Sequence, residues 1–446
     1  MKHSRKNRDV ALLAAGVFFL LLSCASGPDV YARIDAGVQA GSYGKALASI
    51  NDEKSTARKT VYTPKNQILF YLDRGMIAHY AGAYTDSSGD LQTAELLIED
   101  AFTKSISQAI GSYLVNDNVK DYSGEDYEDL YINVFNSLNY YHNNNLEGSL
   151  VEIRRLNEKL NFFADKYERA KDKVLESNRD VDTSQLPMEA SSFSNSALAR
   201  YLGILFYRGT GNTDAARVDY DELGRAYELA PAVYTNSVPS SVQDELSVPD
   251  GMGRLNVIAF TGLSPIKVPE SIIIPLPFPP PNNFARITLP KMITRPQTID
   301  RVEAVLDSGE TFKLELIEDM GAVARDTFKS KYGLTVLKTA VRAITKTTAS
   351  AVLAHVASDK GSGGNSGLGS LIGFIGKIYT EASEQPDLRL SRYFPCYALV
   401  GGINLTPGNY TVTVNFYGKA GLVYSEQKEM TVRENTLNLE EFVCLK

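Results

Sequence analysis

The chain has 446 residues and a formal net charge of −7 at pH 7. This acidic balance argues against a nucleic-acid-binding protein, because affinity for DNA or RNA depends on clustered cations that neutralise phosphates. The length exceeds what one hydrophobic core usually supports, and it therefore predicts two or three domains.

The first 23 residues have the layout of a bacterial lipoprotein signal peptide. Residues 2–8 carry four basic side chains, and residues 10–22 form an apolar stretch that is too short to span a bilayer. The sequence LLSC at 21–24 resembles a lipobox, so Cys24 is the expected lipidation site and the new N-terminus. The alternative is an ordinary signal peptide with a chance cysteine.

Lipidation at Cys24 predicts a membrane-anchored protein with a water-soluble body. Acyl chains contribute roughly 0.8 kcal/mol per buried methylene, which holds a protein on a membrane without a spanning helix. Residues 25 and 26 are Ala and Ser, and neither resembles the Asp that retains many lipoproteins in the inner membrane. We therefore expect attachment to the outer membrane on its periplasmic face, with surface exposure left open. Loss of residues 1–23 removes four basic residues and Asp9, which leaves 42 Lys plus Arg against 52 Asp plus Glu and a net charge of −10.

Residues 24–236 are predicted to form a helical domain. From about residue 29 the apolar residues recur at spacings of three and four. Residues 197–231 resemble a tetratricopeptide repeat, with Leu202, Gly203 and Phe206 in its first helix and a proline at its end. Weaker copies occupy residues 40–50, 69–88 and 138–160. A short tetratricopeptide-like solenoid is predicted, and unstacked helix hairpins are the alternative.

Two stretches of this helical half invite a functional interpretation. The first contains four side chains that would line a solenoid groove and hold a partner's carboxylate, namely Asn139, Tyr140, Arg154 and Arg155. The simpler interpretation pairs each arginine with a glutamate three or four residues away on an exposed helix face. The second is the acidic, tyrosine-rich run at 121–131, which predicts a solvated loop leading into a helix.

Residues 251–446 are predicted to form a β-rich domain with a helical insertion at about 317–384. Short β-branched and aromatic runs follow Gly251, separated by Pro and Gly. The proline-rich stretch at 275–283 predicts an exposed loop, or a docking segment for a partner. The last seventy residues have alternating apolar positions that favour a β-sandwich-like module. The overall prediction is an α+β protein with a tetratricopeptide-like α-helical solenoid followed by this β-rich domain.

Three cations and two cysteines stand out in the C-terminal half. Lys338, Arg342 and Lys346 recur every four residues and would form a basic stripe on the inserted helix. This stripe is either a solvated face or a contact for anionic lipid head groups or an acidic partner. Cys396 and Cys444 lie in predicted strands, where they would form a disulfide or remain two separately buried thiols.

Five stretches together resemble the landmarks of a widespread bacterial family of tetratricopeptide-containing outer-membrane lipoproteins. They are DRGMIAHYAGAYTDSS at 73–88, VFNSLNYYHNNNLEGSLVEIRRLNEKL at 134–160, GRLNVIAFTGLSPIKV at 253–268, LKTAVRAITK at 337–346 and DLRLSRYFP at 387–395. Members are often associated with penicillin-binding-protein activator lipoproteins. The resemblance therefore implies a role in envelope or cell-wall assembly, and it carries over no catalytic residue.

No motif in the sequence indicates a cofactor, a metal or a catalytic centre. The histidines are far apart, and the glycines match neither a phosphate loop nor a nucleophile elbow. Three functions remain. The first is a non-catalytic periplasmic scaffold that binds envelope protein partners through its helical groove. The second is a carrier or sensor for a small molecule or glycan, which would need a closed apolar pocket of a few hundred cubic ångströms. The third is a carboxylate-based hydrolase with two acidic groups in one cleft.

Overall fold

The computed structural model describes residues 29–107, 120–176, 186, 188–275, 284–359 and 386–446. The chain is a mixed helical and sheet protein with 49% helix and 23% strand, which confirms the predicted combination of helices and strands. The predicted signal peptide, Cys24, most of the proline-rich loop and the end of the helical insertion lie outside the described residues.

Four helical hairpins make up most of the N-terminal half. The helices are α1 (Ala32–Gln39), α2 (Tyr43–Ile50), α3 (Thr56–Thr60), α4 (Gln67–Tyr80), α5 (Tyr84–Ser107), α6 (Asp126–His142), α7 (Leu146–Glu176), α8 (Ala197–Gly209) and α9 (Thr213–Leu229). The hairpins pair α1 with α2, α4 with α5, α6 with α7, and α8 with α9. Helices α2 and α4, α5 and α6, and α7 and α8 also contact each other, so that successive hairpins are neighbours.

Each hairpin reverses through three residues, and the middle one has a positive φ. These residues are Gly41, Gly82, Asn144 and Gly211, with φ values of 67°, 75°, 58° and 75°. A left-handed residue at this position ends a helix and turns the chain, and Gly and Asn adopt it most readily. The turns predicted around Gly82 and at 142–146 are therefore confirmed.

The hairpin of α8 and α9 matches the predicted residue pattern at three positions of its first helix and at its end. Leu202 and Phe206 are fully buried. A Cβ atom at Gly203 would lie 2.0 Å from the Asp219 carboxylate, so a small residue is required where the two helices cross. Helix α9 ends at Leu229, two residues before Pro231.

The described residues of the C-terminal half form nine strands and one long helix. The strands are β1 (Gly253–Thr261), β2 (Ile266–Pro275), β3 (Phe284–Ile293), β4 (Arg301–Leu306), β5 (Thr311–Asp319), β6 (Tyr397–Leu405), β7 (Gly408–Gly418), β8 (Gly421–Val432) and β9 (Asn438–Cys444). Helix α10 (Met320–Asp359) follows β5 directly. Strands β2 and β3 pair only with each other, as an antiparallel ribbon.

The other seven strands form one sheet in the order β8-β7-β4-β5-β6-β1-β9. The sheet curls until its edges approach, where Lys428 of β8 donates a hydrogen bond to the Glu441 carbonyl of β9. The predicted β-sandwich-like module is therefore wrong. Strands from before and after α10 alternate in a single curved sheet, because β5 pairs with β6 and β4 pairs with β7.

Both faces of the sheet are buried at β1. Leu255 and Val257 of β1 point into the curl, where they pack with Val412 and Phe416 of β7. Alternate residues of the same strand, such as Phe260, join the cluster formed by the helices. Every position of β1 is buried, including the polar Arg254 and Asn256. The helices and the outer face of the sheet thus share one hydrophobic core.

Helix α6 lies at the centre of this arrangement, and every residue from 126 to 139 is buried. The prediction of a solvated loop at 121–131 is therefore wrong for most of that run. Two of its buried acidic side chains pair with distant lysines: Lys166 bonds to Asp126 at 2.9 Å, and Lys159 bonds to Asp129 at 2.6 Å. A local pattern of charge does not reveal partners 30 and 40 residues away.

Candidate functional site

Residues 386–396 approach β6 between the helical layer and the sheet, and we call them the crossing segment. The Tyr80 hydroxyl donates a hydrogen bond to the Tyr393 carbonyl at 2.9 Å, which fixes the segment to α4. The amide of Ser264 donates to the Phe394 carbonyl at 2.9 Å, which fixes it to the loop after β1. The segment is therefore held on both sides.

Ser391 joins the crossing segment to two buried carboxylates. Its hydroxyl donates to Asp73 of α4 at 2.7 Å, and its amide donates to Glu128 of α6 at 2.6 Å. The amide of Arg392 donates to the same Asp73 oxygen at 2.7 Å. Two acidic side chains thus fix the path of the segment through hydrogen bonds rather than through ion pairs.

The pKa values of both carboxylates are raised. Burial raises the pKa of Asp73 to about 6, although hydrogen bonds from Arg392, Ser391 and Tyr62 oppose this shift. Burial and the neighbouring carboxylate of Glu125 raise the pKa of Glu128 to about 7. In both residues the loss of hydration outweighs the donated hydrogen bonds.

Glu125 lies at the start of α6 and pairs with two lysines. Lys331 of α10 bonds to its carboxylate at 2.8 Å, and Lys267 of β2 bonds to the same oxygen. Burial opposes the charge of Glu125, but these two lysines lower its pKa below the usual range. Lys267 also donates to the Arg389 carbonyl at 3.1 Å, so this ion pair supports the crossing segment.

A cleft of about 680 Å³ opens beside the crossing segment. The residues that line it come from the segments before α1 and between α3 and α4, from α4 and β2, from the loop after β3 and from the crossing segment itself. Much of its wall is apolar and is formed by Tyr31, Val61, Leu69, Ile266, Leu388 and Leu390. Four cationic side chains also line it, namely Lys267, Arg295, Arg389 and Arg392.

Three of these cations have carboxylate partners. Lys267 pairs with Glu125 as described above. Arg389 bonds to Asp387 with both Nε and Nη2, at 2.8 and 2.7 Å. The Nε of Arg392 lies 2.9 and 3.1 Å from the two Asp35 oxygens. The positive charge of each is therefore compensated by the protein itself.

Arg295 differs from the other three. Within the described residues its guanidinium takes part in no ion pair or hydrogen bond, and its Nε is buried. Burial lowers the pKa of Arg295, and the positive charge of Arg392 lowers it further. Arg295 is half-buried, and burying part of a guanidinium without a partner is unfavourable. An anion in the cleft would offset this penalty.

A second buried polar cluster joins the helices to the last strand. His79 of α4 contacts Glu441 of β9 with Nε2 at 2.7 Å and the Asn139 side-chain oxygen with Nδ1 at 2.7 Å. Burial opposes a charge on His79, but the Glu441 carboxylate raises the pKa of His79 and His79 in turn lowers that of Glu441. His142 lies 3.5 Å from Glu441 and stacks on Tyr84 with ring centroids 4.1 Å apart. The cluster is an ion pair that holds helices and sheet together.

The four predicted groove residues do not lie together on one open surface. Asn139 is fully buried in the His79 cluster. The Tyr140 hydroxyl accepts a hydrogen bond from Gln92 at 2.8 Å. Arg154 is exposed, whereas Arg155 is half-buried and pairs with Glu95 at 2.6 Å, and also with Glu152.

The predicted basic stripe on α10 is described only in part. Lys338 is half-buried, and Arg342 is buried, where its Nη2 donates to Thr339 at 2.8 Å. The side chain of Lys346 lies outside the described residues. Because Arg342 is buried, the predicted stripe is not exposed to solvent at this position.

Cys396 and Cys444 are free, buried thiols, which agrees with the second of the two alternatives for this pair and not with a disulfide. They lie on opposite sides of β1, because the Cys396 amide bonds to the Thr261 carbonyl while Cys444 is the neighbour of Thr261 in β9. Two strand spacings amount to about 10 Å, beyond the reach of a disulfide. Burial raises the pKa of Cys396 to about 12.

Among the described residues, no group of three or more His, Cys, Asp or Glu side chains is arranged to hold a metal ion. No helix in the described part of the chain combines the length and the apolar character that a bilayer crossing needs.

The residues around the cleft were missed as a site because they are distant in sequence. Asp73, Lys267 and Ser391 nevertheless belong to three of the five quoted landmark stretches, and the structure brings these stretches together. Arg295 belongs to none of them, and the sequence around it carries no comparable signal. No protein-family model, curated protein or solved structure was found to match this chain.

Proposed function

We propose that this chain is a lipid-anchored, non-catalytic protein of the cell envelope that binds an anionic small molecule in the cleft, as a carrier or sensor. The observation that carries this proposal is Arg295, a half-buried cation without a partner among the described residues, in the wall of a 680 Å³ cleft. Cavities of this size with a few polar groups in an apolar wall are typical of small-molecule sites. A guanidinium binds carboxylate or phosphate oxygens through paired hydrogen bonds.

The helical half supports a tetratricopeptide-like solenoid as the scaffold of this site. Four hairpins with equivalent three-residue turns follow one another, and successive hairpins are in contact. The chain's own sheet and crossing segment cover α4 and α6, the helices that would line a peptide-binding groove. This arrangement favours the carrier or sensor over the scaffold for protein partners that the sequence first suggested.

Two earlier expectations become part of the proposal. Two landmark stretches line the cleft through Lys267 and Arg389, and a third contacts the crossing segment through Asp73, which supports membership of the lipoprotein family that they resemble. Lipidation of Cys24 and attachment to the periplasmic face of the outer membrane follow from the lipobox. A hydrolase finds less support, because Asp73 and Glu128 are fully buried and neither carboxylate lines the cleft.

The test is an Arg295→Met variant of the full mature protein. Small molecules that copurify with the wild type and the variant would be extracted and compared by mass spectrometry. Arg286→Met is the matched control, because Arg286 is exposed on β3, a few residues before Arg295, and does not line the cleft.

We expect an anion that the wild type and Arg286→Met retain and Arg295→Met loses. Identical extracts from all three proteins would contradict the proposal.

A further inference from the structure

We infer that the occupant of the cleft is an amphiphile with one anionic head group, taken from the membrane to which the protein is attached. This inference rests on the proposed function, since it assumes that the cleft binds an anion. It adds the chemical class of that anion and its source. Three independent features of the cleft lead to it.

The first feature is the charge balance of the cleft wall. Glu125, Asp387 and Asp35 compensate three of the four cations. Among the described lining residues, Arg295 is the cation that has no carboxylate partner. A ligand with one anionic group supplies this partner, whereas a second negative charge would lie near the resident carboxylates.

The second feature is the apolar wall that surrounds this single cation. A free inorganic anion would contact Arg295 and leave the solvent-exposed parts of Ile266, Leu388 and Leu390 in water. Burial of apolar surface contributes roughly 25 cal/mol per Å², so a ligand with an alkyl body gains affinity that a small hydrophilic ion lacks. The wall and the cation together fit a molecule with two chemically different ends.

The third feature is the distance between the cleft and the predicted anchor. Tyr31 lines the cleft and lies seven residues after Cys24. Seven fully extended residues span at most about 25 Å, since each contributes roughly 3.5 Å. If Cys24 carries the lipid, the cleft stays within that distance of the lipid surface, where anionic amphiphiles are concentrated.

The acyl chains on Cys24 itself are a less suitable occupant. They are neutral, and so they would fill the apolar part of the cleft and leave the Arg295 guanidinium without a counter-charge. This distinction makes the charge of the ligand the quantity to measure.

The experiment is native mass spectrometry of the full mature lipoprotein in dodecyl maltoside, a neutral amphiphile. Four probes are added separately at equal concentration. Phosphatidylglycerol and palmitate are amphiphiles with one anionic group, a phosphodiester and a carboxylate. Phosphatidylcholine has similar acyl chains but no net charge, and inorganic phosphate is an anion without an apolar body.

We expect at least tenfold higher occupancy by phosphatidylglycerol or palmitate than by phosphatidylcholine or inorganic phosphate. The comparison of the first two probes identifies the head group. Arg295→Met should abolish the preference for the anionic amphiphile, and Arg286→Met should preserve it. Leu388→Asn alters an apolar wall residue that is already 38% exposed, and should weaken binding of all three amphiphiles alike without disturbing the fold.

Two outcomes would overturn the inference. One is equal occupancy by phosphatidylcholine and phosphatidylglycerol in the wild type. The other is an Arg295-dependent ligand without an apolar body, such as inorganic phosphate, which would leave the proposed function standing. Failure of the proposed function itself is distinct, because Arg295→Met would then change neither the probes bound nor the molecules that copurify.

Discussion

Replacing Glu128 by glutamine tests the buried carboxylates that hold the crossing segment. Glu128 accepts hydrogen bonds from Tyr122, Ser391 and the Glu125 amide, and it has no ion pair within the described residues. Burial and the charge of Glu125 raise its pKa to about 7, whereas a glutamate in an unfolded chain has a pKa of about 4.3. The native protein therefore keeps a proton that the unfolded chain has already lost.

The sign of the pH dependence follows from this difference. The contribution of Glu128 to the free energy of unfolding is fully present below about pH 4.3 and is lost as the pH rises through about 7. Between about pH 5 and pH 8 the loss amounts to about 2.5 kcal/mol. In Glu128→Gln this loss is absent, because glutamine does not titrate.

The assay is denaturant unfolding followed by far-UV circular dichroism at the two pH values. We expect the stability difference between the wild type and Glu128→Gln to change by about 2.5 kcal/mol from pH 5 to pH 8, in favour of the variant at the higher pH. Glu228→Gln, which alters an exposed glutamate of α9, is the matched control and should leave the wild-type pH dependence intact. If Glu128→Gln loses as much stability as the wild type over this range, the reasoning about Glu128 is refuted.

Three further outcomes are expected. Gly37→Ala should lower the free energy of unfolding by about 1–3 kcal/mol, because its Cβ would lie 2.9 Å from the backbone nitrogen of Ala46 in the neighbouring helix. Chemical denaturation measures this free energy. His79→Gln should be destabilising by about 3–5 kcal/mol between about pH 4.5 and 6.5 and by less at pH 9 in the same assay. The raised pKa of His79 means that its contribution is lost as the pH rises through the native value. The thiol of Cys396 should resist an aromatic disulfide reagent in the native protein and react after unfolding, because it is buried and its pKa is about 12.

Each of these has a control or a contrary outcome. Gly44→Ala lies in α2, where an added Cβ meets no atom within 4 Å, and it should leave stability unchanged or raise it slightly. An equal loss of stability from Gly37→Ala and Gly44→Ala would show that the close approach does not matter. A His79→Gln effect that is constant from pH 5 to pH 9 would argue against a charged pair. If the protein consumes no reagent even after it has been unfolded, the thiol is oxidised.

Local patterns in the sequence were sufficient for the helices and their turns. The spacing of apolar residues and the position of Gly82 predicted hairpins where α4, α5, α6 and α7 occur. The strands were also recognised as short β-branched runs, since a strand's composition is local. These features depend on neighbours within a few residues, which a single sequence displays directly.

The pairing of the strands could not be predicted in the same way. Register and partner choice depend on which apolar faces meet after collapse, and β4 meets β7 across more than a hundred residues. The alternation in β7 was equally compatible with a sandwich and with a curved sheet, because both bury one face of each strand. The pairing of β5 with β6 distinguishes the curved sheet from the sandwich.

The candidate site was invisible for a related reason. The acidic run at 121–131 looks solvated when only its local sequence is considered. Lys267 and Lys331 pair with its buried Glu125, although they lie more than 140 and 200 residues away along the chain. Within the described residues the Arg295 guanidinium has no ion-pair or hydrogen-bond partner. No sequence pattern predicts that a cation will lack a partner. The landmark stretches did indicate the right neighbourhood, because Asp73 and Ser391 each belong to one of them.

The position of β9 sets the order in which the molecule is completed. This strand lies parallel to β1 and supplies the carboxylate of Glu441 to His79, near the other end of the chain. Synthesis delivers residues from the N-terminus, so the helices are made before the strand that completes the sheet. A chain interrupted before residue 438 leaves one side of β1 open and the His79 imidazole without its Glu441 counterion.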